Sequence, residues 1–373
     1  MPLTELSFLG LVATALITAL LISFVATPVV KSLAQKVGAV DVPKDGRRMH
    51  DHPIPRMGGL AIFLGFTLAV LVFADLTRQL QGMLLGAVII VVLGIFDDIY
   101  ALRASFKFVV QIIAALVAVL YGGNVISVLS NPNIFSSNPW WVLGPLAIPV
   151  TVLWIVAITN AVNLIDGLDG LAVGVSTISS MTLLVIALTV ADWEVAVLMG
   201  ALAGSCIGFM PYNLNPAKIF MGDTGSTFLG FVLAVVSIQG LFKFYTIISF
   251  AVPFLMLGLP IFDTAFAFIR RIAHGQNPMS PDRSHVHHRL IDMGFNQKQA
   301  VAVLYVISAI LGLSAVVLTT SGALKAMMLL LALCAAGAVS ARLFWGNNNG
   351  KNHPDEPEKD RPEAKPDGGE EKP

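Results

Sequence analysis

Long apolar runs separated by short polar stretches dominate the pattern along the chain. A membrane-spanning helix needs about 20 mostly apolar residues. Runs of that kind lie near residues 6–29, 57–75, 79–96, 106–122, 145–162, 171–191, 194–211, 224–242, 245–269, 299–319 and 322–344. The pattern predicts an all-α polytopic membrane protein with about 11 transmembrane helices within residues 1–345. Residues 346–373 contain too few apolar side chains to build a core, which predicts a disordered polar tail.

Composition and charge add an orientation to this picture. The chain is 56% apolar and only 12% charged, with a mean hydropathy of +0.79, whereas a soluble domain carries about 25% charged residues. With the N-terminus outside, the inner loops and the tail hold all of the 23 Lys and Arg residues except Arg78, Lys243 and Lys325. Basic residues concentrate on the cytoplasmic side of membrane proteins. We therefore expect an outside N-terminus and a cytoplasmic C-terminus.

Acidic residues gather on the same predicted cytoplasmic face, at the ends of the predicted spans. They are Asp97, Asp98, Asp166, Asp169, Asp223 and Asp263. Acids at this depth are costly unless they pair, bind a cation or line a wet cavity, although each alone could simply cap a helix. Mg²⁺ uses one or two carboxylates together with phosphate oxygens, and phosphoryl transfer depends mainly on positioning and charge neutralisation. The cluster therefore indicates metal-assisted phosphoryl transfer.

Two details refine this interpretation. Adjacent Asp97 and Asp98 point roughly 100° apart around a helix, so one can bind a metal while the other handles a proton. The chain has no G-x-x-x-x-G-K-[ST] motif, which disfavours a P-loop ATPase.

A cation-coupled transporter would instead place acids near the membrane midplane and repeat its two halves, and we see neither pattern. A scaffolding protein would leave the acid cluster unexplained.

Two glycine-containing motifs accompany the acids. In N-A-V-N-L-I-D-G-L-D-G-L, Asn160 and Asn163 share one helix face. Such amides often join helices in membranes, but Gly167 permits a tight turn that suits a planar base or a sugar. In F-M-G-D-T-G-S, Asp223 lies at a predicted helix start, where free N–H groups favour an anion. Phe220 is either a stacking surface or an apolar anchor.

A histidine-rich segment, S-P-D-R-S-H-V-H-H-R-L, follows the ninth predicted span. Its histidines, His285, His287 and His288, could ligate a transition metal, but no cysteine or paired carboxylate completes a zinc site. Hydrogen bonding to phosphate or sugar is the favoured interpretation, and incidental loop histidines are the alternative. Arg283 and Arg289 flank the histidines, and guanidinium groups suit phosphate oxygens.

These motifs, in this order, resemble those of the polyprenyl-phosphate N-acetylhexosamine-1-phosphate transferase family. The resemblance runs from D-V-P-K-D-G-R-R-M-H-D-H-P-I-P-R-M-G-G to H-V-H-H-R-L. It is nearest to the bacterial undecaprenyl-phosphate N-acetylglucosaminyl-1-phosphate transferases, which begin teichoic acid, common antigen or O-antigen synthesis. The resemblance implies transfer of N-acetylglucosamine-1-phosphate from UDP-N-acetylglucosamine to undecaprenyl phosphate, with release of UMP. Another UDP-N-acetylhexosamine, or UDP-N-acetylmuramoyl-pentapeptide, is the alternative donor.

The resemblance also implies roles for individual residues. Asp97 would deprotonate the lipid phosphate, and Asp98 and Asp223 would bind Mg²⁺, with Mn²⁺ as an alternative. The nucleotide and sugar would contact Asn160, Asn163, Asp166, Gly167, Leu168, Asp169, Phe220, Arg56, Arg283 and Arg289, and the catalytic group would include His285, His287 and His288. The basic residue that often follows D-D is here Arg103 and then Lys107. We expect a cytoplasmic active site in the bacterial inner membrane, a homodimer, and no nucleic-acid partner.

Overall fold

The computed structural model describes residues 5–43, 52–130, 140–240, 248–273 and 285–321. These ranges are mainly helical. The helices are α1 (Glu5–Lys36), α2 (Gly59–Phe73), α3 (Arg78–Tyr100), α4 (Ala104–Leu116), α5 (Ala147–Leu164), α6 (Leu171–Thr189), α7 (Trp193–Asn213), α8 (Gly222–Gly240), α9 (Ile248–Met256), α10 (Gly258–Ala273), α11 (Val286–Asp292) and α12 (Gln297–Ser321). A π-helical turn, Val117–Tyr121, extends α4, and a 3-10 turn, Gly144–Leu146, precedes α5.

Two short antiparallel hairpins complete the described elements. Strand β1 (Val40–Asp41) pairs with β2 (Ile54–Pro55), and β3 (Val128–Ser130) pairs with β4 (Trp140–Val142). The first hairpin brings the segment after α1 back to the start of α2. It therefore places the P-I-P-R-M-G-G segment beside the helix ends that carry the acids.

The predicted polytopic all-α architecture is confirmed. Seven helical segments of the described chain are long and apolar enough to cross a membrane, namely Ser7–Lys36, Arg78–Tyr100, Ala104–Tyr121, Gly144–Leu164, Leu171–Thr189, Trp193–Asn213 and Gln297–Thr319. A shorter apolar helix, Gly59–Phe73, lies between the first two. The predicted span 322–344 and the predicted tail 346–373 fall outside the described residues.

The region predicted as one span at 245–269 is divided between two helices within the described residues. Helix α9 ends at Met256, and α10 begins at Gly258 and runs on to Ala273. Pro260 lies in the first turn of α10, where its missing N–H costs little. Helix α10 exposes Phe262 and Phe266 while it buries Asp263. Hydropathy alone cannot distinguish one apolar helix from two that meet at a break.

Helix α8 forms the centre of the core, and two glycines allow its N-terminus to lie between α2 and α3. Its residues from Thr224 to Gly240 are all buried, and it packs on α3, α5 and α2. A Cβ added to Gly94 of α3 would collide with the backbone of Thr224, and one added to Gly59 of α2 would collide with Gly225. These close approaches place the start of α8 directly against the end of α3.

Candidate active site

A cavity of about 290 Å³ opens where the helix ends meet. Its lining comes from β1, the segment after β2, the loops that precede α6 and α8, and helices α5, α7, α8, α11 and α12. The lining residues are Asp41, Arg56, Asn163, Asp166, Gly167, Leu168, Asp169, Asn213, Phe220, Gly222, Asp223, His288 and Gln297. Most of the predicted nucleotide and sugar contacts therefore lie on one cavity.

Asp98 holds the N-terminus of α8. Its Oδ1 accepts from the backbone N–H of Asp223 at 3.0 Å, and its Oδ2 accepts from the backbone N–H and the hydroxyl of Thr224 at 3.1 and 2.7 Å. The Arg56 Nε atom lies 3.5 Å from Oδ1. A carboxylate is favoured at a helix N-terminus because it pairs with free N–H groups and with the helix dipole. Both oxygens of Asp98 are thus engaged in placing its neighbour Asp223.

Asp97 points in a different direction and meets a cation. Its Oδ1 accepts from the Leu102 backbone N–H at 2.7 Å, and its Oδ2 accepts from Lys107 Nζ at 2.8 Å. The same ammonium lies 2.8 Å from Asp223 Oδ2. Lys107 belongs to α4 and bridges the end of α3 to the start of α8. Sequence reasoning assigned it no role, although its position soon after the D-D pair was a usable signal.

The two asparagines of the N-x-x-N motif have different surroundings. Asn163 Nδ2 donates to Asp223 Oδ1 at 3.2 Å and to Ser226 Oγ at 2.7 Å, so this amide orients the carboxylate. Asn160 Nδ2 donates to Gln111 Oε1 at 2.6 Å and to the Val156 carbonyl at 2.8 Å. Asn160 joins α5 to α4 and does not line the cavity. Its contacts are those of an interhelical amide.

Asp169 fastens the loop that leads to Phe220. Its Oδ2 accepts from Asn215 Nδ2 at 3.0 Å and from the Ala217 backbone N–H at 2.9 Å. Asn213, which sequence reasoning missed, accepts from the Gly170 N–H at 3.2 Å and donates to the Ile219 carbonyl at 3.0 Å. Two loops are therefore joined at the cavity wall.

The backbone around Phe220 is fixed from the other side by the P-I-P-R-M-G-G segment. The Phe220 N–H donates to the Pro55 carbonyl at 2.8 Å, and the Phe220 carbonyl accepts from the Gly58 N–H at 2.9 Å. These bonds form a short ladder between the two segments. The ladder places the Phe220 ring and the Arg56 guanidinium on the same cavity.

The histidines begin the short helix α11 and do not lie in an open loop. His288 lines the cavity, and its ring centre lies 4.3 Å from that of His287. His287 packs so closely on Gly167 that a Cβ at that position would collide with the imidazole. Burial, and next the neighbouring His288, together lower the pKa of His287 to about 4. His287 is therefore neutral at physiological pH.

The arginines that flank the histidines were predicted to bind phosphate. Arg289 places its guanidinium carbon 5.3 Å from the centre of the Phe266 ring, and it does not line the cavity. Arg283 lies outside the described residues. Of the predicted phosphate-binding cations, Arg56 alone lines the cavity within the described chain.

Asp166 is a carboxyl group close to the other acids. Burial, and next the negative charge of Asp223, raise its pKa to about 7. Arg56 opposes this effect. A carboxyl group with this pKa can either donate or accept a hydrogen bond near neutral pH, which suits recognition of a base or a ribose hydroxyl.

The donor set at the α3–α8 junction fits Mg²⁺ when substrate oxygens complete its coordination. The described residues contain no group of three or more His, Cys, Asp or Glu side chains arranged to hold a metal. Two carboxylate oxygens, from Asp97 and Asp223, nevertheless converge on one point, which the Lys107 ammonium marks at 2.8 Å from each. Mg²⁺ commonly binds through one or two carboxylates plus substrate phosphates and water.

Comparison with known proteins identifies the family. A family model described as "Glycosyl transferase family 4" matches residues 80–241. A Bacillus subtilis (strain 168) protein named "Probable undecaprenyl-phosphate N-acetylglucosaminyl 1-phosphate transferase" is 46% identical over 311 residues, which cover 83% of this chain and 86% of the relative. This chain belongs to glycosyl transferase family 4.

Relatives of lower identity match over similar lengths. A Mycolicibacterium smegmatis protein named "Decaprenyl-phosphate N-acetylglucosaminephosphotransferase" is 36% identical over 82% of this chain and 80% of its own length. A protein of Escherichia coli O157:H7 named "Undecaprenyl-phosphate alpha-N-acetylglucosaminyl 1-phosphate transferase" is 29% identical over 80% of this chain and 82% of its own length. The region matched by the family model includes Asp97, Asp98, Lys107, Asn163 and Asp223.

Proposed function

We propose that this protein transfers N-acetylglucosamine-1-phosphate from UDP-N-acetylglucosamine to undecaprenyl phosphate and releases UMP. The observation that carries the proposal is the convergence of Asp97, Asp223 and Lys107 beside the cavity that Arg56 and Phe220 line. Polyprenyl phosphate and N-acetylglucosamine both occur in the names of the relatives. A carboxylate and cation cluster next to a base-sized cavity is what phosphoryl transfer from a nucleotide sugar requires.

The nucleotide end of the donor would lie along the Asp166–Asp169 loop and Phe220. The aromatic ring offers a stacking face, and the loop offers backbone groups together with the Asp166 carboxyl. Asp169 and Asn213 hold this wall by the hydrogen bonds that join the two loops. The rigidity of the wall allows it to orient the diphosphate toward the start of α8.

The phosphate end of the reaction would lie at the α3–α8 junction. Asp97 and Asp223 would hold Mg²⁺, which supplies charge neutralisation on the diphosphate. Asp98 keeps Asp223 in place and is engaged by three α8 donors, so its contacts favour a supporting role over direct ligation. Lys107 would turn from its two carboxylates toward the incoming phosphate, since its side chain is 25% exposed.

The lipid phosphate requires little base catalysis. A phosphate monoester has a second pKa of about 6, so the acceptor is mostly dianionic at neutral pH. Asp97 then orients the nucleophilic oxygen or removes a residual proton. The cavity-lining His288 would hydrogen-bond the sugar or the leaving diphosphate, and the buried, neutral His287 would support its ring.

We propose the membrane orientation expected from the sequence, with an outside N-terminus and a cytoplasmic tail. The chain would cross the bacterial inner membrane about 11 times, and its active site would lie at the cytoplasmic face. Two observations support it: the basic residues concentrate on one side, and the end of α3 meets the start of α8. Cysteine accessibility labelling in intact cells tests the orientation. A homodimer stays a prediction, which light scattering of the detergent-solubilised protein tests.

The activity is tested with purified protein, undecaprenyl phosphate, Mg²⁺ and a panel of UDP-sugars. We expect UMP release from UDP-N-acetylglucosamine and none without lipid phosphate or with excess EDTA. Asp223→Asn is the matched inactive control, because it keeps the shape of the side chain and removes its charge. Release from UDP-N-acetylmuramoyl-pentapeptide instead would support the alternative donor. If no UDP-sugar releases UMP, the proposed function is wrong.

A further inference from the structure

We propose that Asp263 is a positioning residue, which fixes the tautomer of His285 and holds the start of α11 against the active site. The inference rests on the proposed function, because it assigns the histidine segment to that reaction. Asp263 lies on α10 and is only 5% exposed, whereas Phe262 and Phe266 of the same helix are 57% and 55% exposed. A carboxylate buried behind such an apolar face is costly unless its oxygens are hydrogen-bonded.

Both oxygens of Asp263 are used, and both contacts are in the histidine segment. Oδ2 lies 2.8 Å from His285 Nδ1, and Oδ1 accepts from the Val286 backbone N–H at 2.8 Å. Val286 is the first residue of α11. One side chain therefore ties α10 to the beginning of α11 across residues 274–284.

The contact also determines which nitrogen of His285 carries a proton. An ionised carboxylate can only accept, so the hydrogen bond requires the proton to lie on Nδ1. In the neutral ring, Nε2 is then an acceptor. Paired carboxylates fix the tautomer and ring orientation of functional histidines in this way, and they raise the basicity of the far nitrogen.

The position of His285 is transmitted to the cavity through ring contacts. The His285 and His287 rings are nearly parallel, with centres 5.7 Å apart and an interplanar angle of 4°. His287 in turn packs on Gly167 and on His288, which line the cavity. A displacement of His285 would therefore move the groups that face the nucleotide sugar.

The Asp263→Asn variant separates positioning from simple attachment of the helix. The amide oxygen can still accept from the Val286 N–H, so α11 stays attached. The amide NH₂ then faces His285 Nδ1 and forces the proton to Nε2. We expect an unchanged melting temperature, a KM for the UDP-sugar within about threefold of wild type, and a kcat lower by about 10- to 100-fold, the loss typical of carboxylate partners of histidines. Asp292→Asn, at the exposed far end of α11, is the matched control and should keep wild-type kcat.

A double-mutant cycle tests whether Asp263 acts through His285. If it does, Asp263→Asn combined with His285→Gln has the same kcat as His285→Gln alone. Losses that multiply in the double variant, or a wild-type kcat in Asp263→Asn, would overturn the proposal.

A second measurement does not need turnover, so failure of the proposed function remains distinguishable. Diethylpyrocarbonate modifies accessible neutral histidines, and mass spectrometry reads each site. We expect Asp263→Ala to speed modification of His285 and His287 at least severalfold, and Asp263→Asn to leave both protected. If His285 and His287 are modified equally slowly in Asp263→Ala and wild type, Asp263 does not hold α11 in place. This result would overturn the proposal whether or not any UDP-sugar releases UMP.

Discussion

Replacing Lys107 with Met should abolish activity and yet increase the stabilisation that Mg²⁺ gives the protein. The ammonium lies 2.8 Å from Asp97 Oδ2 and 2.8 Å from Asp223 Oδ2, and the three side chains are 25%, 9% and 17% exposed. Met keeps the approximate length of the chain and removes the charge. Two carboxylates then face one another without a cation between them.

The magnitude follows from the partial burial of this cluster. Removing one partner of a buried ion pair costs about 3–5 kcal/mol. Because the Lys107 side chain is 25% exposed, solvent screens the pair, and we expect a loss below that range, about 2–3 kcal/mol, in the absence of Mg²⁺. The divalent cation should restore most of this loss in Lys107→Met, since it no longer competes with an ammonium for the two oxygens. Turnover should fall by at least about 100-fold, which corresponds to about 2.7 kcal/mol of transition-state stabilisation.

The assay combines UMP release with thermal unfolding of the detergent-solubilised protein, with and without saturating Mg²⁺. Lys218→Met is the matched control, because Lys218 is an exposed lysine on the loop before α8. It should match wild type in both measurements. The idea that Mg²⁺ takes the place of the ammonium is wrong if the turnover of Lys107→Met stays within about threefold of wild type. It is also wrong if Mg²⁺ raises the melting temperature of the variant no more than that of wild type.

Three further variants test the supporting structure. Asp98→Asn should lower turnover by at least about 10-fold and destabilise the protein by about 2–3 kcal/mol, because an NH₂ group would face a donor at the start of α8; thermal unfolding and UMP release measure both. Gly94→Ala should cost about 1–3 kcal/mol by overpacking against Thr224, whereas Gly10→Ala, where no atom lies within 4 Å, should melt like wild type. Because folding lowers the pKa of His287 from 6.5 to about 4, the folded state is stabilised by about 3 kcal/mol above pH 6.5, and this stability is lost as pH falls toward 4. Melting temperatures of His287→Gln measured across this pH range should lose this part of the pH dependence. An unchanged pH dependence would contradict the reasoning.

Helix positions could be predicted because the membrane imposes a simple rule on the sequence. The apolar runs near 79–96, 171–191 and 194–211 correspond to α3, α6 and α7 within a few residues. The same rule did not show the break at Leu257, where the apolar run at 245–269 is divided between α9 and α10. Asp263 was assigned to the acidic face from the sequence, but nothing local specified its partner, His285.

The acidic residues of the site could be predicted as a group, but the contacts of each one could not. Placing Asp97, Asp98, Asp166 and Asp223 on one face needed only the topology. The different partners of Asp97 and Asp98 depend on α8 starting against the end of α3, a contact that the glycine at position 94 permits. No sequence spacing encodes that approach.

Lys107 shows most clearly what packing adds. In the sequence it is one of many basic residues assigned to inner loops, and its position after the D-D pair suggested no partner for it. In the fold, α4 carries it to carboxylates from two other helices, while Arg56 lies beside a third carboxylate, Asp98. Carboxylates at a membrane edge must be neutralised in every state of the enzyme, because desolvation penalises each bare charge. A divalent cation bound between these two oxygens would have to take the place of the ammonium, and a phosphate bound beside it would offer Lys107 a new partner.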